Sequence, residues 1–224
     1  MKKSQLNFSG NWKNTQVEGK RKSPTIYLFR HAQTYFNKNR YFTGWKDSKL
    51  TPFGKKQAKL LAKKLKNKKI DVAFCSSLSR SKDTLREVLK FHPECRRVFV
   101  DDRIIERSYG KLEGHSHEVF KRTHSPKELH KVRRSYSAAP PGGESIKMVE
   151  KRVLSFIKDL IEYMKKYKVN VAISAHGNSM RPIRRYFEGL SVKQMMALEN
   201  PWDDFFEYKL PNFESAKLNK DFQQ

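Results

Sequence analysis

Four stretches of this sequence place reactive side chains directly after short apolar runs. Thr25–Phe29 (TIYLF) leads into Arg30-His31-Ala32, and Ile70–Cys75 (IDVAFC) into Ser76-Ser77, with Arg80 close behind. Val98–Val100 is followed by Glu106, and Val169–Ala175 (VNVAISA) by His176-Gly177-Asn178. Two histidines, two arginines and a glutamate are the side chains that transfer of a phosphoryl group requires. A neutral imidazole can attack phosphorus and carry it covalently. Guanidinium groups match phosphate oxygens as planar, permanently charged forks. The second imidazole can donate to the same oxygens. A carboxylic acid can give its proton to the leaving alkoxide and take it back on the return step, and burial beside an anion would raise its pKa to suit. Singly, each residue has an ordinary explanation: packing for the histidines, a solvated helix position for Arg80, a cap or ion pair for Glu106. The reading rests on their joint placement. That chemistry needs no metal, and no carboxylate cluster in the sequence suggests one.

The elements that must carry these residues alternate. Thr25–Phe29, Ile70–Cys75, Val98–Val100, Val169–Ala175 and Phe205–Leu210 read as strands, being short, apolar and rich in β-branched and aromatic residues. Thr51-Pro52 is a helix start, with Ala58, Leu61, Ala62 and Leu65 on one face and lysines mostly elsewhere. Leu78–Phe91 and Glu144–Tyr167 are further helices. The latter repeats Ile146, Val149, Val153, Phe156, Ile157, Leu160 and Met164 at steps of three and four. Shorter helices are expected at Ser179–Phe187 and Val192–Leu198. Residues 102–143, rich in Gly, Pro, His and Arg, read as a long excursion containing some helix, a length that in a compact domain is usually functional or disordered. Strands alternating with helices predict an α/β fold whose central sheet is mostly parallel, with helices on both faces. Ligands of such sheets bind beyond the carboxyl ends of the strands, where the four reactive stretches fall. Residues 1–23 read as an irregular basic N-terminal arm, 24–210 as a single α/β domain, and 211–224 as a polar C-terminal tail.

Composition narrows the function classes. Of 224 residues, 37% are hydrophobic, enough for a core, while the net charge is +25. Such a charge favours anionic company, although a lysine-rich surface also simply solvates the chain. Cys75 and Cys95 are too few for a disulfide framework and match no zinc spacing, so a reducing, cytoplasmic compartment is the default. No apolar run is long enough to span a bilayer, so no membrane association is expected. Tyr and Phe are present, but no motif interleaves them with basic residues as nucleic-acid binding requires. A specific nucleic-acid partner is therefore not expected.

Six blocks, LFRHAQTYFN, FTGWKDSKLTPFGKKQA, CSSLSRSKDT, IERSYGKLEG, PPGGES and ISAHGNSMR, follow one another in an order that resembles the histidine phosphatase superfamily. The resemblance spans roughly residues 25–210 and is strongest to the short 2,3-bisphosphoglycerate-dependent phosphoglycerate mutases. It implies a phosphoglycerate mutase-like three-layer sandwich. It also implies that His31 is the phosphorylated nucleophile, that Arg30, Arg80 and His176 surround the phosphoryl group, and that Glu106 is the proton donor and acceptor. Asn37, Gly177 and Asn178 would add phosphate contacts, Thr43 and Gly44 would border the substrate, and Tyr109 matches the tyrosine of the family's ERxYG block. The implied substrate is a small phosphorylated anion, 3- or 2-phosphoglycerate, with 2,3-bisphosphoglycerate as primer and no metal. A homo-oligomer is left open.

The superfamily holds phosphatases as well as mutases. Arg133-Arg134 resembles the mutase arginine pair that grips the substrate's far anionic end; alternatively it belongs to a basic surface run. A phosphatase acting on small phosphomonoesters through the same phosphohistidine is the competing reading. Three positions depart from the family pattern. Ala32 stands where glycine is usual after the nucleophilic histidine. His117, partly charged at neutral pH, stands where the mutases carry a substrate-binding lysine. Asn200-Pro201-Trp202-Asp203 replaces a Thr-Gly-x-Pro-like turn.

Overall fold

A computed structural model describes residues 8–10, 12–17 and 19–210. Its centre is a six-stranded sheet formed by β1 (Phe8–Ser9), β2 (Thr25–Arg30), β3 (Val72–Cys75), β4 (Arg97–Val100), β5 (Val171–Ala175) and β6 (Phe205–Lys209). Their spatial order is β1-β4-β3-β5-β2-β6. The five strands β1 to β5 pair in parallel, and β6 runs antiparallel at the edge beside β2. The central strands are apolar on both faces because helices cover both. Along β2, Ile26 and Leu28 face one core while Tyr27 and Phe29 face the other.

On the first face lie α6 (Ile146–Tyr167) and α7 (Gly177–Glu188). All seven apolar residues expected on the inner face of α6 are buried there. The second face is covered by α2 (Pro52–Leu65) and α3 (Ser79–Leu89). At the start of α2 the Thr51 hydroxyl accepts the Gly54 N–H at 2.8 Å, with Pro52 in the first turn where its missing N–H costs nothing. A last short helix, α8 (Val192–Ala197), precedes β6.

The excursion after β4 is more ordered than its composition suggests. It carries 3-10 turns at Asp102–Ile104 and Gly110–Leu112, and the helices α4 (His117–Thr123) and α5 (Pro126–Arg134). Phe42, Phe120 and Leu129 give it a small core of its own. Arg107, fully buried, holds it down by donating to the carbonyls of Glu144 (2.6 Å), Val132 (2.9 Å) and Ala138 (3.2 Å).

The N-terminal segment differs from the irregular arm expected of it. Phe8–Ser9 pair with β4, and Trp12 lies in the core against Phe74, Phe99, Phe156 and Tyr163, its indole N–H donating to Asp101 Oδ2 at 2.9 Å. A single tryptophan in a polar stretch leaves no periodicity to detect, yet it fills a pocket between sheet and helix. Residues 1–7 and the tail 211–224 lie outside the described residues. No helix among the described residues is long and apolar enough to cross a membrane.

Candidate functional site

Strands β2, β3, β4 and β5 share one sense, so their carboxyl ends form one rim. His31 follows β2 and His176 follows β5, and these strands are neighbours; the His31 N–H donates to Ala175 O at 3.0 Å. The two rings lie 4.9 Å apart, centre to centre. Glu106 arrives from the β4 side, and its carboxylate lies within 4.8 Å of the ring nitrogens of both histidines. All three are buried.

A hydrogen bond to a carbonyl fixes the tautomer of His31. His31 Nδ1 lies 2.8 Å from Ala32 O. A carbonyl only accepts, so Nδ1 carries the proton and Nε2 keeps its lone pair. Burial is the largest cause depressing the His31 pKa, and the guanidinium groups of Arg80 and Arg30 depress it further, well below 6.5. His31 is thus a neutral imidazole with Nε2 unprotonated, the form that attacks phosphorus. His176 Nε2 lies 2.7 Å from Ser76 Oγ. If that hydroxyl donates, Nδ1 carries the proton, and Nδ1 is buried without a partner. Burial again dominates in keeping His176 neutral.

Arg80, fully buried on α3, donates to Gly44 O at 2.7 Å and Lys46 O at 3.0 Å. The turn around Thr43-Gly44 therefore anchors an arginine. Gly44 is required there: its φ is +51°, and a Cβ would lie 2.1 Å from the Glu113 carboxylate. Arg30 donates to Asn200 O at 3.2 Å and lies under the Trp202 ring, 4.7 Å from its centre. The Nε atoms of Arg30 and Arg80 are buried without partners. Glu106 Oε1 accepts from the N–H groups of Arg107 (2.8 Å) and Asn178 (3.1 Å), the latter in the first turn of α7. Its backbone carbonyl accepts from Trp45 Nε1 at 2.8 Å and Arg152 Nη2 at 3.0 Å. Trp45 and Arg152 thus hold the segment that presents Glu106. Sequence reasoning assigns neither a role, although Trp45 directly follows Gly44 in the FTGW block; Arg152 lies outside all six blocks.

Ala32 sits here without strain. It is not among the residues of positive φ, and it packs against Leu50 and Ala58, so the missing glycine has no conformational cost.

A cavity of about 570 Å³ opens beside these groups. It is lined by Arg30 and Glu106 and by the nine residues expected to bind the rest of the substrate: Asn37, Thr43, Gly44, Tyr109, His117, Arg133, Arg134, Gly177 and Asn178; His31, Arg80 and His176, at most 1% exposed, do not line it. Arg40, Lys121, Arg181, Glu199 and Trp202, which sequence reasoning did not assign, also line it. Arg181 is buried and donates to the carbonyls of Met195 (2.9 Å) and Met196 (2.6 Å); burial lowers its pKa to about 10, still cationic at neutral pH. Two far-end residues differ from their expected state. His117 is not partly charged: burial, then Arg133, Lys121 and Arg40, hold its pKa near 4, so it is neutral at pH 7. Arg134 donates to Glu199 Oε1 at 2.8 Å, whereas Arg133 has no ion-pair partner among the described residues.

His31, Glu106 and His176 each offer a ligand atom close enough to share a metal ion. Two flanking guanidinium groups and their unpartnered donors, Arg30 Nε and Arg80 Nε, suit an anion far better than a cation. A buried N–H without an acceptor is costly, and phosphate oxygens supply the acceptors.

This constellation on this fold defines a histidine-based phosphoryl-transfer protein, and the chain belongs to the histidine phosphatase superfamily (branch 1), whose profile matches residues 26–204. More particularly, it is 32% identical over 200 residues to a 2,3-bisphosphoglycerate-dependent phosphoglycerate mutase of Pseudoalteromonas atlantica, covering 78% of this chain and 88% of that protein. It is 37% identical over 177 residues to the protein of that name from Parvibaculum lavamentivorans (77% and 84% covered). Among solved structures, the α-ribazole phosphatase of Shigella flexneri superposes with a TM-score of 0.66 at 26% identity (76% and 83% covered). A mycobacterial glucosyl-3-phosphoglycerate phosphatase superposes at 0.73 and 24% identity (82% and 90% covered), a likeness of fold.

Proposed function

We propose that the protein is a phosphoglycerate mutase that interconverts 3- and 2-phosphoglycerate. The observation that carries this reading is the presence of Arg133 and Arg134 on the wall of the cavity that also holds Arg30 and Glu106. A substrate anchored at its carboxylate by the far arginines can offer its phosphoryl group to His31.

The residues fit 2,3-bisphosphoglycerate, a ligand with three anionic groups: Arg30, whose Nε has no partner, lines one cavity together with Arg40, Arg133, Arg134 and Arg181. When bound, it supplies the phosphoryl group that loads His31. His31 Nε2 forms the N–P bond as the P–O bond to the leaving oxygen breaks, and Glu106 gives that oxygen its proton. Arg30, Arg80 and His176 Nδ1–H neutralise the charge on the transferring group. In the return direction Glu106 takes the proton of the attacking hydroxyl. The low pKa of His31 keeps its lone pair available at neutral pH. The buried setting of the histidines limits access of water to the phosphohistidine. The positive charge of the chain raises the encounter rate with so anionic a substrate.

The competing reading is a phosphatase that releases the phosphoryl group to water. It is favoured by the neutral His117 and by the pairing of Arg134 with Glu199, both of which weaken the grip on a substrate carboxylate. An assay that follows 2-phosphoglycerate and inorganic phosphate together, starting from 3-phosphoglycerate with and without catalytic 2,3-bisphosphoglycerate, separates the two. Primer-dependent 2-phosphoglycerate formation is expected; phosphate release without it rejects the mutase.

A further inference from the structure

Between α8 and β6 the chain carries Asn200-Pro201-Trp202-Asp203, the segment that departs from the family turn. Its position is tied to the site at several points. Asn200 O accepts from Arg30, Asn200 Nδ2 donates to Gly177 O at 2.9 Å, and Asn200 Oδ1 accepts from Arg184 at 3.2 Å. The Trp202 ring stacks on the Arg30 guanidinium. Arg30 has no carboxylate partner within ion-pair distance among the described residues, so a carbonyl and an aromatic face set its direction.

Five buried side-chain nitrogens among the described residues lack a hydrogen-bond partner. His92 Nε2 is remote from the chemistry in sequence and lines no part of the cavity. Three others, on Arg30, Arg80 and His176, belong to the proposed phosphoryl pocket. The fifth is the indole nitrogen of Trp202, which lines the cavity on whose wall Arg30 and Glu106 also lie. An N–H left without an acceptor in the wall of an anion site has the same explanation as its neighbours: the acceptor arrives with the ligand.

We infer that Trp202 determines substrate binding in two ways. Its ring positions Arg30 for the phosphoryl group, and its N–H donates to an oxygen of the bound substrate. This rests on the phosphoryl-transfer reading of the cavity. The ligand class it selects is a phosphomonoester with an oxygen acceptor within reach of the indole, such as a neighbouring hydroxyl, carboxylate or second phosphate.

Phenylalanine keeps the ring and removes the N–H; alanine removes both. Inorganic phosphate, titrated by calorimetry, probes the first role without turnover. Trp202→Phe is expected to bind phosphate within about twofold of wild type and Trp202→Ala about tenfold more weakly, the range of a desolvated cation–π contact. Trp202→Leu, apolar but without a π face, replaces the alanine variant if that variant fails to fold. In steady-state kinetics Trp202→Phe is expected to raise KM about three- to tenfold, the loss of one hydrogen bond, while kcat falls by less. Wild-type phosphate affinity in Trp202→Ala, or equal losses in the Phe and Ala variants, overturns the positioning role. A wild-type KM in Trp202→Phe overturns the donor role. If wild type binds phosphate yet forms no 2-phosphoglycerate, the mutase reading fails separately; the phosphate comparison stands, and KM is then read on phosphomonoester hydrolysis.

Discussion

Acid should destabilise this protein through the same two histidines that are assigned to its chemistry. His31 and His176 are 1% and 0% exposed, and their pKa values in the fold lie well below 6.5. In the unfolded chain each returns to about 6.5. Below that value the unfolded state binds more protons than the native state, so stability falls as pH falls. For a ring that stays neutral in the fold throughout, lowering the pH from 7.5 to 5.5 costs about 1.4 kcal/mol, and about 2.7 kcal/mol for the pair. Urea unfolding in phosphate-free buffer, followed by tryptophan fluorescence, measures this in wild type, His31→Asn, His176→Asn and the double variant. The remaining titrating groups are common to all four proteins and cancel in the comparison. Each single variant should lose about half of the excess acid sensitivity and the double variant all of it. Equal pH dependence in wild type and double variant would refute the argument that both rings are held neutral. The kinetic counterpart is that the acid limb of kcat/KM due to His31 falls below pH 6.5, not at it.

His31→Ala should abolish both activity and the acid-labile, alkali-stable phosphate label, which chemical stability assays of the labelled protein will show; a label retained in that variant moves the nucleophile elsewhere. Glu106→Gln should lower kcat by ~10²–10⁴-fold, the usual worth of a general acid–base group, with KM changed only a few-fold; equal losses in both would make Glu106 a structural residue. Arg133→Met should raise KM for 3-phosphoglycerate more than Arg134→Met does, because Arg134 is already paired. Glu199→Gln, which frees Arg134, should lower KM by at most about fivefold, since Glu199 is 77% exposed and such pairs are weak. Trp12→Ala should cost about 3–5 kcal/mol of stability by leaving a cavity in the core, seen as a lower urea midpoint with kcat unchanged.

Strands β2 to β6, helices α2, α3 and α6 to α8, the inner face of α6 and the rim on which Arg30, His31, Arg80, Glu106 and His176 meet could be read from the residues alone. These were legible because they are local. Apolar periodicity marks which face an element buries, and a residue next to a strand end goes wherever the strand is placed. The tertiary structure alone decided the rest. Trp202 lies over Arg30 from 172 positions away, Trp12 packs against Phe74, Phe99, Phe156 and Tyr163, and Glu199 pairs with Arg134 on the cavity wall. Nor could the sequence assign the charge of His117 or His31. The free energy of a proton depends on burial and on the charges nearby in space, here Arg133, Lys121 and Arg40 for one ring and Arg80 and Arg30 for the other. Those distances come into being only when separate segments of the chain pack together.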